Sequence, residues 1–290
     1  GDFTDLYPIQ KVNIRVGPPA MLPSWSSSAA FALLRDRKMT EMAKPWEYYH
    51  MIANAQNNSA GTATSGRIAF TITRTPNIDG NTNTFAHEIG HNHGLSHMPG
   101  CGASGSDNSY PYVPNMAPEG VTWPAGFMGV NGYSISTNTF KSSAMFRELM
   151  SYCRPRWISD YVYNKFEARV RQTMAMIPAG MADEDMSKRS LQGWAGPGEN
   201  INFGLALGQL VDEATTPITD HQHAVLTLTD GRTIKVPVAI GLASDDVTRE
   251  FAINLDTDQT TSDEVVRAEV FVGGERTVVD VVPMLLKNKR

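Results

Sequence analysis

The chain has 290 residues, 41% of them hydrophobic and 19% charged, with a formal net charge of -5. Such a length suggests about two domains, and such a composition builds a packed core, which excludes wholesale disorder. No long basic run occurs, which argues against nucleic acid as the main partner, and no stretch of about eighteen apolar residues occurs, so no transmembrane helix is expected.

In chain order, Val12-Asn13-Ile14-Arg15-Val16 alternates apolar and polar residues and predicts a half-buried strand, ended by Gly17-Pro18-Pro19. A helix is predicted from Ser24–Ser28 to about Ala43, before Pro45 breaks it. Tyr48 to Ala53 reads as a second strand, Asn54 to Ser65 as a polar loop, and Arg67 to Thr73 as a strand of β-branched and aromatic residues. A further helix is expected from Thr82–Thr84 to Gly94. Residues 98–139, dense in Gly, Pro, Ser and Asn, predict a long irregular segment of the kind tolerated under functional constraint. Past Trp157 a helix is predicted, with Tyr161, Phe166, Val170 and Met174 at helical spacing. After Pro178 the chain reads as a polar linker over 179–199. Residues 200–290 then read as a small β-sandwich with immunoglobulin-like patterning. Its strand candidates are 224–228, 233–240, 250–255, 265–272 and 278–282, with hairpin signals at Asp230-Gly231 and Gly273-Gly274.

The segment carrying chemistry is His87-Glu88-Ile89-Gly90-His91-Asn92-His93-Gly94-Leu95-Ser96-His97. Residues four apart share a helix face, so His87 and His91 can aim their imidazoles at one ion. Gly94 stands where the helix must stop, and the turn there can bring His97 back as a third nitrogen ligand. Three neutral imidazoles leave one position of a tetrahedral zinc site open to water. Glu88 beside them is the candidate general base, taking a proton from that water and passing it to the leaving amine. Five fixed positions match one window by chance with a probability on the order of 10⁻⁸. A structural zinc site is the main competitor, but such sites close with a fourth protein ligand and leave Glu88 unexplained.

The string has the pattern H-E-x-x-H-x-x-G-x-x-H and so resembles the metzincin zinc endopeptidases. Downstream, Leu149-Met150-Ser151-Tyr152 resembles their Met-turn, in a form similar to the serralysin and astacin groups or to a related bacterial secreted branch. The resemblance covers roughly residues 1–176. It implies an α+β fold, in which a metzincin-like catalytic domain of twisted mixed sheet plus helices, at 1–178, precedes the β-sandwich. It further implies that Met150 floors the site and that Tyr152 ligates zinc or hydrogen-bonds the tetrahedral intermediate. The strand at 67–73 would form the sheet edge along which extended peptide binds. The glycine-aspartate calcium repeats of serralysins are missing. Asp79, Asp107 and Glu119 show no calcium-loop spacing, so calcium is left open.

If that fold holds, Cys101, four residues after His97, and Cys153, three after Met150, emerge beside the metal. A disulfide between them is the preferred reading, with two free thiols or a zinc-inhibiting thiolate as alternatives. His93 would point away from the metal, and His50, His221 and His223 read as ordinary loop or strand residues. The expected function is a secreted zinc endopeptidase acting on proteins or glycoproteins, with a monomer favoured. The alternative is a binding or adhesion protein that uses the β domain and a non-catalytic zinc site; an exopeptidase would need groups that capture a chain terminus.

Overall fold

The computed structural model describes residues 3–9, 12–44, 46–54, 60–64, 66–73, 78–175, 188–207, 210–245, 247–282 and 284. The first elements in the chain are α1 (Phe3–Leu6), α2 (Ser27–Thr40), β1 (Tyr49–Ala53), β2 (Gly61–Ala63), β3 (Ile68–Ile72) and α3 (Ile78–Asn92). Then come β4 (Gly132–Ser134), β5 (Thr139–Lys141), β6 (Arg147–Glu148), β7 (Arg156–Trp157) and α4 (Asp160–Ala175). The remainder is β8 (Arg189–Ala195), β9 (Asn202–Leu207), β10 (Gln222–Leu228), β11 (Thr233–Val236), β12 (Ala239–Leu242), β13 (Arg249–Asn254), β14 (Val265–Val272) and β15 (Glu275–Asp280). The fold is α+β, as expected.

The chain divides into two compact units, one of residues 1–21 and 51–175, the other of residues 22–50 and 176–290. This departs from the expected single division near residue 178, because α2 packs on β8 and β9 and so carries residues 22–50 into the second unit.

In the first unit β1, β3 and β2 form a sheet in the order β1-β3-β2. The strand expected at the sheet edge, β3, is instead central and buried along its length. The edges belong to β1 and to β2, a strand that the glycine- and threonine-rich composition of 54–65 disguised as loop. It pairs antiparallel with β3 through Thr62↔Phe70 and Ala63↔Ala69. Helix α3 lies against both strands, and Asn92 near its end donates to the carbonyls of Thr64 and Ile68 at 2.7 and 3.0 Å. Tyr7, just past α1, donates to the Ala86 carbonyl and packs on Phe166 of α4 with ring centroids 4.3 Å apart. Residues 12–16 form no strand, and Ile14 and Val16 are exposed. Alternation alone could not supply the partner a strand needs. Within the expected irregular stretch 98–139, β4 and β5 make a short hairpin. Asp5 caps its turn by accepting from Ser134 Oγ at 2.7 Å and from the Ile135 N–H at 2.9 Å.

The second unit is a sandwich of two four-stranded antiparallel sheets, β11-β10-β14-β15 and β12-β13-β8-β9. Leu191, Leu205, Leu226, Ile253 and Val270 meet in its core. The linker expected at 179–199 lies partly outside the described residues, and its later part is β8, an inner strand. Leu191 and Ala195 face the sandwich core, while Ser190, Gln192 and Trp194 alternate to the other face. There α2 covers them, with Phe31 against Trp194 at 5.5 Å. The polar side chains are satisfied across the strands, Ser190 on Asn254 at 3.1 Å and Gln192 on Glu250 at 2.8 Å. A strand buried on both faces yet half polar carries no alternation signal.

Candidate metal centre

Helix α3 ends in a Schellman cap. Gly94 has φ +76°, the Gly94 N–H donates to the His91 carbonyl at 2.8 Å, and the Leu95 N–H donates to Gly90 at 3.2 Å. The reversed chain is then tied down where the Met98 N–H meets the Met150 carbonyl at 2.9 Å. These two constraints return His97 to the helix, so that His87, His91 and His97 offer ligand atoms all within 4.8 Å of one another.

Each imidazole bonds a backbone carbonyl through Nδ1: His87 to Leu149 at 2.8 Å, His91 to Leu95 at 2.7 Å and His97 to Ser104 at 2.7 Å. A carbonyl only accepts, so each Nδ1 carries a hydrogen. Burial, reinforced by neighbouring positive charge, holds His87 well below the usual imidazole range and His91 down to about 3. The neutral rings therefore present bare lone pairs on Nε2, and His91 Nε2 stands 3.1 Å from both His87 Nε2 and His97 Nε2. Converging lone pairs repel unless a cation lies among them. Bonds of about 2.0–2.1 Å at a tetrahedral angle would set two nitrogens about 3.3 Å apart, so two of the three pairs suit a zinc-sized ion. The backbone carbonyls on the far nitrogens are the orienting partners that metal-binding imidazoles require.

Glu88 is buried beside His87. A Cβ built at Gly61 of β2 would stand 2.8 Å from both Cγ and Oε1 of Glu88, so only glycine leaves room for the carboxylate there. Met150 is fully buried beneath the helix. Tyr152 is 39% exposed, and its ring centroid lies 4.7 Å from that of His97 and 6.0 Å from that of His87. A disulfide joins Cys101 to Cys153, with Cα atoms 5.1 Å apart, and so fastens the loop after His97 to the turn after Met150.

His93 faces the other way, packed against Tyr7 and Phe166 with centroids 6.1 and 5.5 Å distant. His223 bonds the Thr219 carbonyl and stacks on Phe271. Neither it, His221 nor His50 joins a metal-binding group among the described residues. The Asp107 carboxylate is taken by Lys165 and Tyr161, Glu119 is exposed, and the side chain of Asp79 lies outside the described residues. Two charged residues at the centre escaped the sequence reading. Glu148 is buried, with burial raising its carboxyl to about 7. It accepts from the Met150 N–H at 3.2 Å and the Ser159 N–H at 2.8 Å, holding the backbone whose Leu149 carbonyl orients His87. Arg156, 8% exposed, acts by its charge on Glu88 and Tyr152. In the sequence both are ordinary charged residues near a motif, and nothing there marks them as buried.

Three imidazoles with their Nε2 atoms turned toward one another make a site for a metal ion. Residues 47–170 match the family model described as Peptidase M66, a metallopeptidase family. The matched span contains His87, Glu88, His91, His97 and Met150, and it indicates a metallopeptidase-type function with protein as substrate. No curated protein and no solved structure matches the chain. Among the described residues no helix is long and apolar enough to cross a membrane.

Proposed function

We propose that the chain is a zinc-dependent endopeptidase of the metzincin type, hydrolysing peptide bonds in extracellular proteins or glycoproteins. The observation that carries this reading is the convergence of three Nε2 lone pairs, each fixed by a carbonyl on Nδ1, beside the buried Glu88 carboxylate. A zinc ion bound there would supply Lewis acidity toward the scissile carbonyl and lower the pKa of water. Glu88 takes the proton of the attacking water and delivers it to the departing nitrogen. Gly61 keeps β2 close to that carboxylate without crowding it. Since β2 lies at an edge of its sheet, we assign the extended substrate to that edge rather than to β3. Tyr152, partly exposed over the His97 ring, flanks the reacting carbonyl. The glycine-capped return to His97 and the methionine beneath the helix support the metzincin assignment. The disulfide supports a secreted protein, because such bonds persist in oxidising compartments.

The test is zinc content and cleavage of a fluorogenic peptide library by the parent and by Glu88→Gln. The expected outcome is one zinc per chain in both, with cleavage by the parent alone. A zinc-loaded parent that cleaves no peptide, or a Glu88→Gln variant as active as the parent, would overturn it in favour of a binding protein.

A further inference from the structure

Arg156 is the charged side chain at the centre that neither the histidine motif nor the methionine turn accounts for. It opens β7, which pairs parallel with β6 through Arg147↔Arg156, so its backbone is fixed beside the strand that leads into the Met150 turn. Its Nε donates to the Cys153 carbonyl at 3.3 Å, and the disulfide anchors Cys153 in turn. The terminal nitrogens Nη1 and Nη2 take no acceptor among the described residues. The Cys153 carbonyl that holds it belongs to the residue after Tyr152, whose ring lies 4.7 Å from that of His97, and the guanidinium charge acts on Glu88 and Tyr152.

A purely structural arginine would be expected to spend its fork of five N–H donors on protein acceptors, as buried polar groups do. Arg156 spends one. The other donors are not sealed in the protein: Nη1 and Nη2 reach solvent, where a substrate oxygen can arrive and take them as it gains negative charge.

We propose that Arg156 is a further catalytic residue, whose terminal N–H groups bind the substrate carbonyl oxygen as it becomes an oxyanion. This rests on the peptidase reading. In the reaction an O–H bond of water breaks, its proton passes to Glu88, and the water oxygen bonds the carbonyl carbon. The π pair of the carbonyl moves onto its oxygen, whose new negative charge the guanidinium meets. That pair returns as the C–N bond breaks, and the proton on Glu88 goes to the departing nitrogen. The products are an amine and a carboxylic acid, which ionises.

The test is steady-state kinetics on the fastest-cleaved member of a fluorogenic peptide library. Parent, Arg156→Ala, Arg156→Lys and Glu88→Gln are compared, each checked for zinc content and thermal midpoint. For Arg156→Ala we expect kcat to fall about 10²- to 10³-fold, the loss typical of a missing oxyanion donor, with KM and zinc content nearly unchanged. Guanidinium ion at sub-denaturing concentration should restore part of that kcat, and none in Glu88→Gln. Arg156→Lys keeps the charge but loses the fork, and its kcat should fall about tenfold; it carries the test if the alanine variant does not fold. Parental kcat in either folded variant, or a loss wholly in KM, overturns the role of Arg156 while leaving the peptidase reading intact. No cleavage by the parent, or full activity in Glu88→Gln, overturns both.

Discussion

The sulfur of Met150 occupies the space where a side chain on Gly90 would begin: a Cβ built on Gly90 would stand 2.4 Å from Met150 Sδ and 2.9 Å from its Cε. Gly90 lies inside α3 between the two helix histidines, where glycine costs about 1 kcal/mol against alanine. Gly90→Ala would therefore recover about 1 kcal/mol of helix propensity but incur about 1–3 kcal/mol of overpacking. We expect net destabilisation of up to about 2 kcal/mol. Zinc binding should weaken by about tenfold or more, because moving Met150 moves the Leu149 carbonyl that orients His87. Met150→Ala in the same chain should relieve the clash, so the two changes together should cost less than their sum. Denaturation midpoints and chelator competition measure both effects; a Gly90→Ala protein more stable than the parent refutes the contact.

The Cys101–Cys153 bridge closes a loop with a sequence separation of 52. By the chain-entropy argument such a closure is worth about 4 kcal/mol. The same loop includes Ser104, whose carbonyl orients His97. A Cys101→Ser, Cys153→Ser double variant should melt about 10 °C lower and bind zinc more weakly. If the midpoint does not move, the bridge contributes nothing to the folded state.

Much of this centre was legible in the sequence because its chemistry is local. His87, Glu88 and His91 share one helix, and the glycine that ends it is marked by its own conformational freedom. His97 needed only that turn. The residues that hold the site together were not legible, because their partners are distant in sequence: Glu148 bonds Ser159, and Gly61 faces Glu88. Strand β8 escaped for a related reason, since Ser190 and Gln192 look like linker residues until α2 and β13 cover and satisfy them. Local pattern reports which face meets apolar core, and it is silent about polar faces that are buried by pairing.

Protonation should set the acid limit of the metal-free protein. Burial lowers His87 well below the usual range, His91 to about 3 and His93 to about 4. The same rings take protons near pH 6.5 when unfolded, so acid favours the unfolded chain. Their contribution is fully present above about pH 6.5 and is lost as the pH falls toward 4. Glu148 opposes them: its folded pKa of about 7 is raised by burial, so its contribution is present below about pH 4.5 and lost as the pH rises through 7. Three rings outweigh one carboxyl, leaving roughly 2–3 kcal/mol lost per pH unit between about 6.5 and 4.5. Urea midpoints of chelator-treated protein across this window measure the slope, and Glu148→Gln should steepen it. Stability that is flat or rises on acidification would contradict the neutral burial of these rings.

Arg35 decides which unit owns α2. It is 4% exposed, donates through Nη1 to the carbonyls of Gln192 at 2.8 Å and Asn202 at 3.2 Å, and lies over the Trp194 ring. The backbone makes room for it at Gly204, where a Cβ would stand 2.2 Å from Nη2. Arg35→Ala strands two carbonyls and empties that space, a loss of about 3 kcal/mol. Gly204→Ala should be comparably damaging, since the added methyl meets a guanidinium already held at both ends. Amide exchange in β8 and β9 should quicken in either variant. The same packing predicts the behaviour of fragments. Residues 200–290 lack both the inner strand β8 and the helix that covers it, so they should not melt cooperatively. Residues 188–290 joined to residues 22–50 should do so. Circular dichroism on heating separates the two, and a cooperative melt of residues 200–290 alone would mean that neither β8 nor Arg35 is needed to close the sandwich.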